Sequence, residues 1–406
     1  MNRWLFYWRR LSGQLWFRAS LYAGLAVIAA LAAAGLGPLV PDALAERFGG
    51  ESVEQILGVL ASSLLAVATF SLGAMVTAYT SISQAATPRA AILVTSDRAT
   101  QRSLATFVGA FLYAVVGLTA INAGLYGSHG RAIIFGFSLL VVGLVAFQLL
   151  AWINRLSSLA RVGHVLVLIE ERAKDALKSE RRRPRLGGVA GDLPAGAPIP
   201  ASRTGHVQNI DISGLKAWIR DTGRKVQVLA APGDFVRRGE ALARIDGAVE
   251  TEQLASLTAN FSIGRSRTFA HDPRQGLAIL GEAAAKALSP GVNDPGTAIE
   301  AMGAGVRLID GWARSEIEPE ADPEPRLMAP ALKADALVEA VFGPVARHGS
   351  DNVLVAERLQ RALSSLEALG GEVGAAAAIL RRESRRRALE QLAFAPDRRR
   401  LRAASD

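Results

Sequence analysis

The sequence predicts a mainly α-helical membrane protein. Its parts are a four-helix transmembrane domain, then a cytosolic α+β domain with a small β-sandwich-like module and C-terminal helices. Three observations carry this. No charged residue falls between Glu54 and Arg89; as a helix rising about 1.5 Å per residue, that run outreaches the roughly 30 Å hydrocarbon core of a bilayer. Hydrophobic residues fill 50% of the chain and charged residues 20%, so the two kinds must be segregated along it. Beyond residue 204 the apolar period shortens, and turn residues separate short strand-like runs.

The net charge of +9 rests largely on arginine. In a membrane protein such a balance points to positive-inside orientation and to anionic lipid headgroups as partners. It argues against nucleic acid, because the basic residues are not interleaved with aromatics. Cysteine is absent, which excludes disulfides, thiolate zinc sites, iron–sulfur clusters and cysteine nucleophiles.

The transmembrane domain is expected over residues 1–178. Residues 1–18 alternate Trp4, Tyr7, Trp8 and Trp16 with Arg3, Arg9, Arg10 and Arg18, which suits an anchor at headgroup level rather than a cleaved leader. Uncharged spans follow at about 19–41, 55–81, 105–127 and 132–154. Ser52 with Gln55 forms a capping-box pattern ahead of the second span. The 42–54 loop is acidic, whereas the N-terminus, the 85–105 loop and everything after Arg155 are basic. By the positive-inside rule both termini of this multi-pass protein lie in the cytoplasm.

The second span carries the main functional candidate. Gln55, Gly58, Ser62, Ala66, Thr69, Gly73, Thr77, Thr80 and Gln84 share one helical face, with Leu57, Leu60, Leu64, Val67 and Met75 opposite. Lipid requires no small and hydroxyl residues, so Ser62, Thr69, Gly73, Thr77 and Thr80 are a candidate pore or packing stripe.

A charged amphipathic helix over 155–178 leaves the membrane. Residues 179–203, rich in Arg, Pro, Gly and Ala, read as a flexible linker without a core. Residues 204–250 read as a small β module. Within it, 228–245 resemble the half-repeat of biotinyl/lipoyl-type sandwich domains, whose Gly-Asp-x-Val-x-x-Gly makes a tight turn. The tip at 246–250 has no lysine, so the resemblance implies a non-carrier, structural module.

Residues 251–314 hold Gly-Arg-Ser-Arg-Thr-Phe-Ala-His-Asp-Pro (264–273) and Ala-Leu-Ser-Pro-Gly-Val-Asn-Asp-Pro-Gly-Thr-Ala (287–298). Asp272-Pro273 and Asp294-Pro295 each place an acceptor at an N-cap and proline at the first helical position, predicting helices over about 273–288 and 295–312. Arg267, His271, Asp272, Asn293 and Asp294 form a candidate ligand loop, although caps and turns demand the same residue types. Residues 315–326 read as an acidic linker, and 327–406 as helices near 330–342, 351–369 and 372–394 with a basic tail.

The chain resembles a bacterial family of predicted membrane proteins, domain of unknown function 2254. The likeness covers roughly residues 10–370. It is carried by Thr87-Pro88-Arg89 with Asp97 and Gln101, by 107–113 and 232–236, and above all by the two long motifs just quoted. It implies four spans and a cytosolic domain, and brings no activity, cofactor or site residue.

No nucleophile elbow, zinc-protease motif, Walker loop or dinucleotide fingerprint is present, so no enzyme, metal site or cofactor is expected. The spans carry no charge of the kind a secondary transporter uses. The expectation is an oligomeric channel-like or membrane-sensing protein regulated by its cytosolic domain. The alternative is a membrane-anchored scaffold or ligand sensor without transport.

Overall fold

The computed structural model describes residues 52–95, 98–159, 162–247, 250–320 and 322–403, with single positions between 17 and 42. The chain forms two compact units. Among the described residues, a membrane unit holds 52–84 and 91–159, and a downstream unit holds 85–90 and 162–403.

Among the described residues the membrane unit and its exit are built from α1 (Ser52–Ala85), α2 (Pro88–Thr95), α3 (Arg98–Asn122) and α4 (Ser128–Leu159). Within them Ser52–Gln84, Thr100–Asn122 and Ser128–Asn154, of 33, 23 and 27 residues, are long and apolar enough to cross a bilayer. The anchor expected at 1–18 and the span expected at 19–41 lie outside the described residues, apart from a few single positions. The third span sits earlier than expected. α3 stops at Asn122, where Gly124 adopts φ +71°, its N–H donates to Ile121 O, and the Leu125 N–H donates to Ala120 O. This is a Schellman termination, which glycine makes easy. At its other end α3 keeps Thr100, Gln101, Ser103 and Thr106 buried. The amide of Gln148 on α4 donates to Ser103 Oγ, and Tyr113 Oη donates to Ile134 O at 3.2 Å.

α1 turns its apolar face inward. Val53, Leu57, Leu60, Leu64, Ala68, Ser71, Met75, Ala78 and Ile82 are buried in steps of three and four residues, the period of one helix face. Leu57 fills the space beside Gly117 of α3, 3.3 Å from where a Cβ would stand.

The downstream unit opens with α5 (Val162–Arg182), followed by a 3₁₀ turn at Pro184–Gly187. It then gives β1 (Gly188–Val189), β2 (Ala197–Pro200), β3 (Gly205–Ile210), α6 (Ile212–Thr222), β4 (Val226–Val228), β5 (Phe235–Val236), β6 (Ala241–Ile245), α7 (Thr251–Thr258), β7 (Phe261–Gly264), α8 (Gln275–Ala287), α9 (Pro295–Ala313), β8 (Glu324–Met328), α10 (Ala334–His348), α11 (Val353–Glu367), α12 (Gly371–Gln391) and α13 (Ala395–Ala403). One sheet has the order β1-β8-β4-β6-β2, and a smaller one β5-β3-β7. Both line one core, which includes Ile199, Val207, Leu215, Ile219, Leu242, Ile245, Ile263 and Leu327.

Three expectations change here. Residues 179–203 are no flexible linker: β2 pairs with β6 and β1 with β8. The Arg181 guanidinium sits 4.7 Å over the Trp312 ring, and the Trp312 indole donates to Glu180 Oε2 at 3.0 Å. The acidic stretch 315–326 runs into β8, which lies between β1 and β4. The β module therefore exceeds 204–250, because partners distant in sequence complete its sheets.

α8 is the hub of the helical part. Leu277, Ile279, Leu280, Ala283, Ala284 and Ala287 are all buried, more than one face can account for. Gly276 lets α5 approach, since a Cβ there would strike Ala173, and Gly281 does the same for the α10 backbone at Ala340.

Candidate functional site

The long motif at 264–273 folds around Asp272, whose side chain is 0% exposed. Asp272 Oδ2 accepts Arg267 Nε at 2.6 Å, and Oδ1 accepts the Arg274 backbone N–H at 3.0 Å. Arg274 in turn donates from Nη2 to Asp234 Oδ1 at 2.8 Å and to Pro232 O at 2.9 Å. Asp234 Oδ2 accepts the Ala231 N–H at 2.8 Å, closing the Pro-Gly-Asp turn. Two guanidinium and two carboxylate groups thus cancel, the condition under which charges can be held out of water. Burial works against the Arg274 charge, but the hydrogen bond to Asp234 and the fields of Asp272 and Asp234 outweigh it and hold its pKa above the usual arginine range.

Gly233 makes this closure possible. Its φ is +95° and a Cβ would stand inside the Asp272 carboxylate, so both the backbone and the close approach require glycine. The Gly233 N–H donates to Val207 O at 2.8 Å, and the Val207 N–H donates to Asp234 O at 2.9 Å. Gly264 is needed for a similar reason, because a Cβ would meet the Gln208 amide; that amide donates to Ser266 O at 2.7 Å. The two motif segments, 232–236 and 264–273, are therefore one cluster.

Asp272 is not an N-cap. α8 starts at Gln275 behind Arg274, with no side-chain cap, because the Asp272 carboxylate is taken by two arginines. Asp294 does cap its helix: it accepts Thr297 N–H at 3.1 Å and Thr297 Oγ1 at 2.6 Å. The Thr297 hydroxyl, then its backbone N–H, pull the Asp294 pKa below the usual carboxylate value. Asn293 takes φ +49° in the exposed turn beside it.

The five candidate loop residues do not form one site. Arg267, His271 and Asp272 precede α8 and Asn293 and Asp294 follow it; its 13 residues separate the groups by about 20 Å at 1.5 Å per residue. Sequence reasoning missed Arg274 and Asp234, the residues that join the motifs. The signal for Asp234 was its place in the Pro-Gly-Asp turn. Among the described residues, no group of three or more His, Cys, Asp or Glu could hold a metal ion.

A second feature bears on α8. Residues 85–90, which directly follow the stretch of α1 long and apolar enough to cross a bilayer, belong to the downstream unit. There Ala86, Thr87 and Ala90 are buried, Thr87 Oγ1 accepts the Ala90 N–H at 3.1 Å, and Arg89 forms an ion pair with Glu282 of α8. The stripe residues Ser62, Thr69, Gly73, Thr77 and Thr80 are exposed on the outside of α1. Their hydroxyls turn back on their own helix: Thr69 Oγ1 donates to Leu65 O at 2.8 Å, Thr77 to Gly73 O at 3.1 Å, and Thr80 to Val76 O at 2.9 Å.

No curated protein and no solved structure matches the chain. A family model described as predicted membrane protein (DUF2254) matches residues 12–365, and the chain belongs to that family.

Proposed function

We propose that the chain forms a homo-oligomer in the bacterial inner membrane, with both termini in the cytoplasm. In this proposal it works as a channel-like or membrane-sensing protein whose downstream unit controls the membrane helices; no catalysis is assigned to it. The observation that carries this is the path of the chain after α1. Residues 85–90 are built into the downstream unit and held by Arg89 on Glu282. Movement of α8 is thereby passed to the end of α1 through a short, buried connection. Oligomer formation rests on the outward stripe of α1, whose small residues allow close helix approach.

Reconstituted protein tests this. The expected result is an oligomer in lipid whose ion flux, under tension or voltage, changes in Glu282→Arg. A monomer without flux would contradict the channel reading. The anchored sensor or scaffold is the second reading, and the back-bonded hydroxyls of α1 favour it, because they need no water to be satisfied.

A further inference from the structure

We propose that the end of the β5-β3-β7 sheet binds a phosphate-bearing anion through Arg203, Arg238 and Arg265, with Arg237 beside them. The register brings these residues together. Gly205 pairs with Val236, and His206 pairs with both Phe235 and Gly264. Arg265 therefore leaves β7 opposite Gly205, on one side of the central strand, and Arg237 leaves β5 on the other. The ladder continues past the strand ends: the Arg238 N–H donates to Thr204 Oγ1 at 3.0 Å, and the Gly239 N–H donates to Ala201 O at 2.9 Å. Arg238 and Arg203 are thus cross-strand neighbours. Adjacent strands lie about 4.8 Å apart and successive residues alternate faces, so Arg203, Arg238 and Arg265, which share one face of the ladder, can reach one polyanion, while Arg237 projects from the other face.

All four are exposed. Arg237 shares Glu240 at 3.6 Å, while Arg203, Arg238 and Arg265 have no carboxylate partner among the described residues. The nearby acids cannot neutralise them, because Asp234 and Asp272 are already held by Arg274 and Arg267. A cluster of guanidinium groups with few counter-charges attracts anions, and the planar fork suits phosphate oxygens. Phe235 adds an exposed ring, which meets the His206 ring edge-on at 5.2 Å. This inference concerns binding alone and stands whether or not α8 controls the membrane helices.

The phosphate could belong to a soluble compound or to a lipid headgroup, and the test separates them. Full-length protein in phosphatidylcholine nanodiscs is titrated with pyrophosphate by calorimetry. In parallel, hydrogen exchange at 203–206, 235–240 and 264–267 is compared between phosphatidylcholine and phosphatidylglycerol nanodiscs. The comparison variant is Arg238→Gln/Arg265→Gln. The charge-matched control is Arg382→Gln/Arg399→Gln, which removes two exposed arginines elsewhere. Saturable pyrophosphate binding that weakens about tenfold in the first variant, but not in the control, supports the site with a soluble ligand. Protection in phosphatidylglycerol that is lost only in the first variant supports it with a lipid. Neither response, or an equal response in both variants, overturns it.

Discussion

Arg89 and Glu282 face each other across the junction where the chain leaves α1 and enters the downstream unit. Their side chains are 62% and 36% exposed, so the pair resembles a surface salt bridge worth about 0–1 kcal/mol. Its importance lies in position rather than strength. Glu282→Gln is therefore expected to move the melting temperature little. A double-mutant cycle with Arg89→Gln checks this, and a coupling energy well above 1 kcal/mol would assign the pair a stabilising role instead.

Asp272 is a different case. Asp272→Ala leaves Arg267 without its carboxylate and Arg274 with Asp234 alone. Both arginines keep 27% of their side-chain exposure, so the expected loss is roughly 2–4 kcal/mol, somewhat less than for a fully buried pair. Gly233→Ala is expected to be comparably damaging, since it forces a side chain into the Asp272 carboxylate. Denaturation midpoints of the two variants check both. A near-silent Gly233→Ala would show that the turn and the carboxylate are not packed as described.

Asp294 carries a pH signature. Its folded pKa is depressed, so its contribution to stability is present above the unfolded carboxylate value, about 4, and is lost as pH falls through the folded pKa. Asp294→Asn retains the cap and is expected to flatten that part of the stability–pH profile at little cost near neutrality. Asp294→Ala is expected to cost about 0.5–2 kcal/mol. If the Asn variant follows the wild-type acid limb, the Thr297 contacts are not the source of the shift.

The legibility of these features follows the distance between partners. Asp294 was readable as a cap because its donor, Thr297, lies three residues on. Asp272 looked the same locally, yet it answers to Arg267 and, through Arg274, to Asp234 on another strand. No local pattern reports that. Residues 188–189 and 197–200 looked coreless because their composition is poor, and they become strands only against β8 and β6. The stripe on α1 was readable from helical spacing. Which face would be covered was not, because that depends on α3, where Gly117 makes room for Leu57.

Thr69 tests how the stripe is used. Its hydroxyl is satisfied by Leu65 O within its own helix, so Thr69→Val is expected to leave assembly intact. Flux in liposomes is the informative measurement. Unchanged flux means that the hydroxyl does not line the conducting path, whereas a loss of flux with normal oligomer size places it there.

Cross-linking in lipid tests the coupling of the downstream unit to α1 most directly, and the absence of cysteine makes it clean. Gly73→Cys, on the exposed stripe, is expected to give an interchain cross-link, and Leu64→Cys, on the buried face, is expected to give none. The Gly73→Cys yield should change when Glu282→Arg is added and return when Arg89→Glu restores the opposite charges. An interchain yield identical in all three backgrounds, or no interchain product at all, would contradict control of α1 through α8.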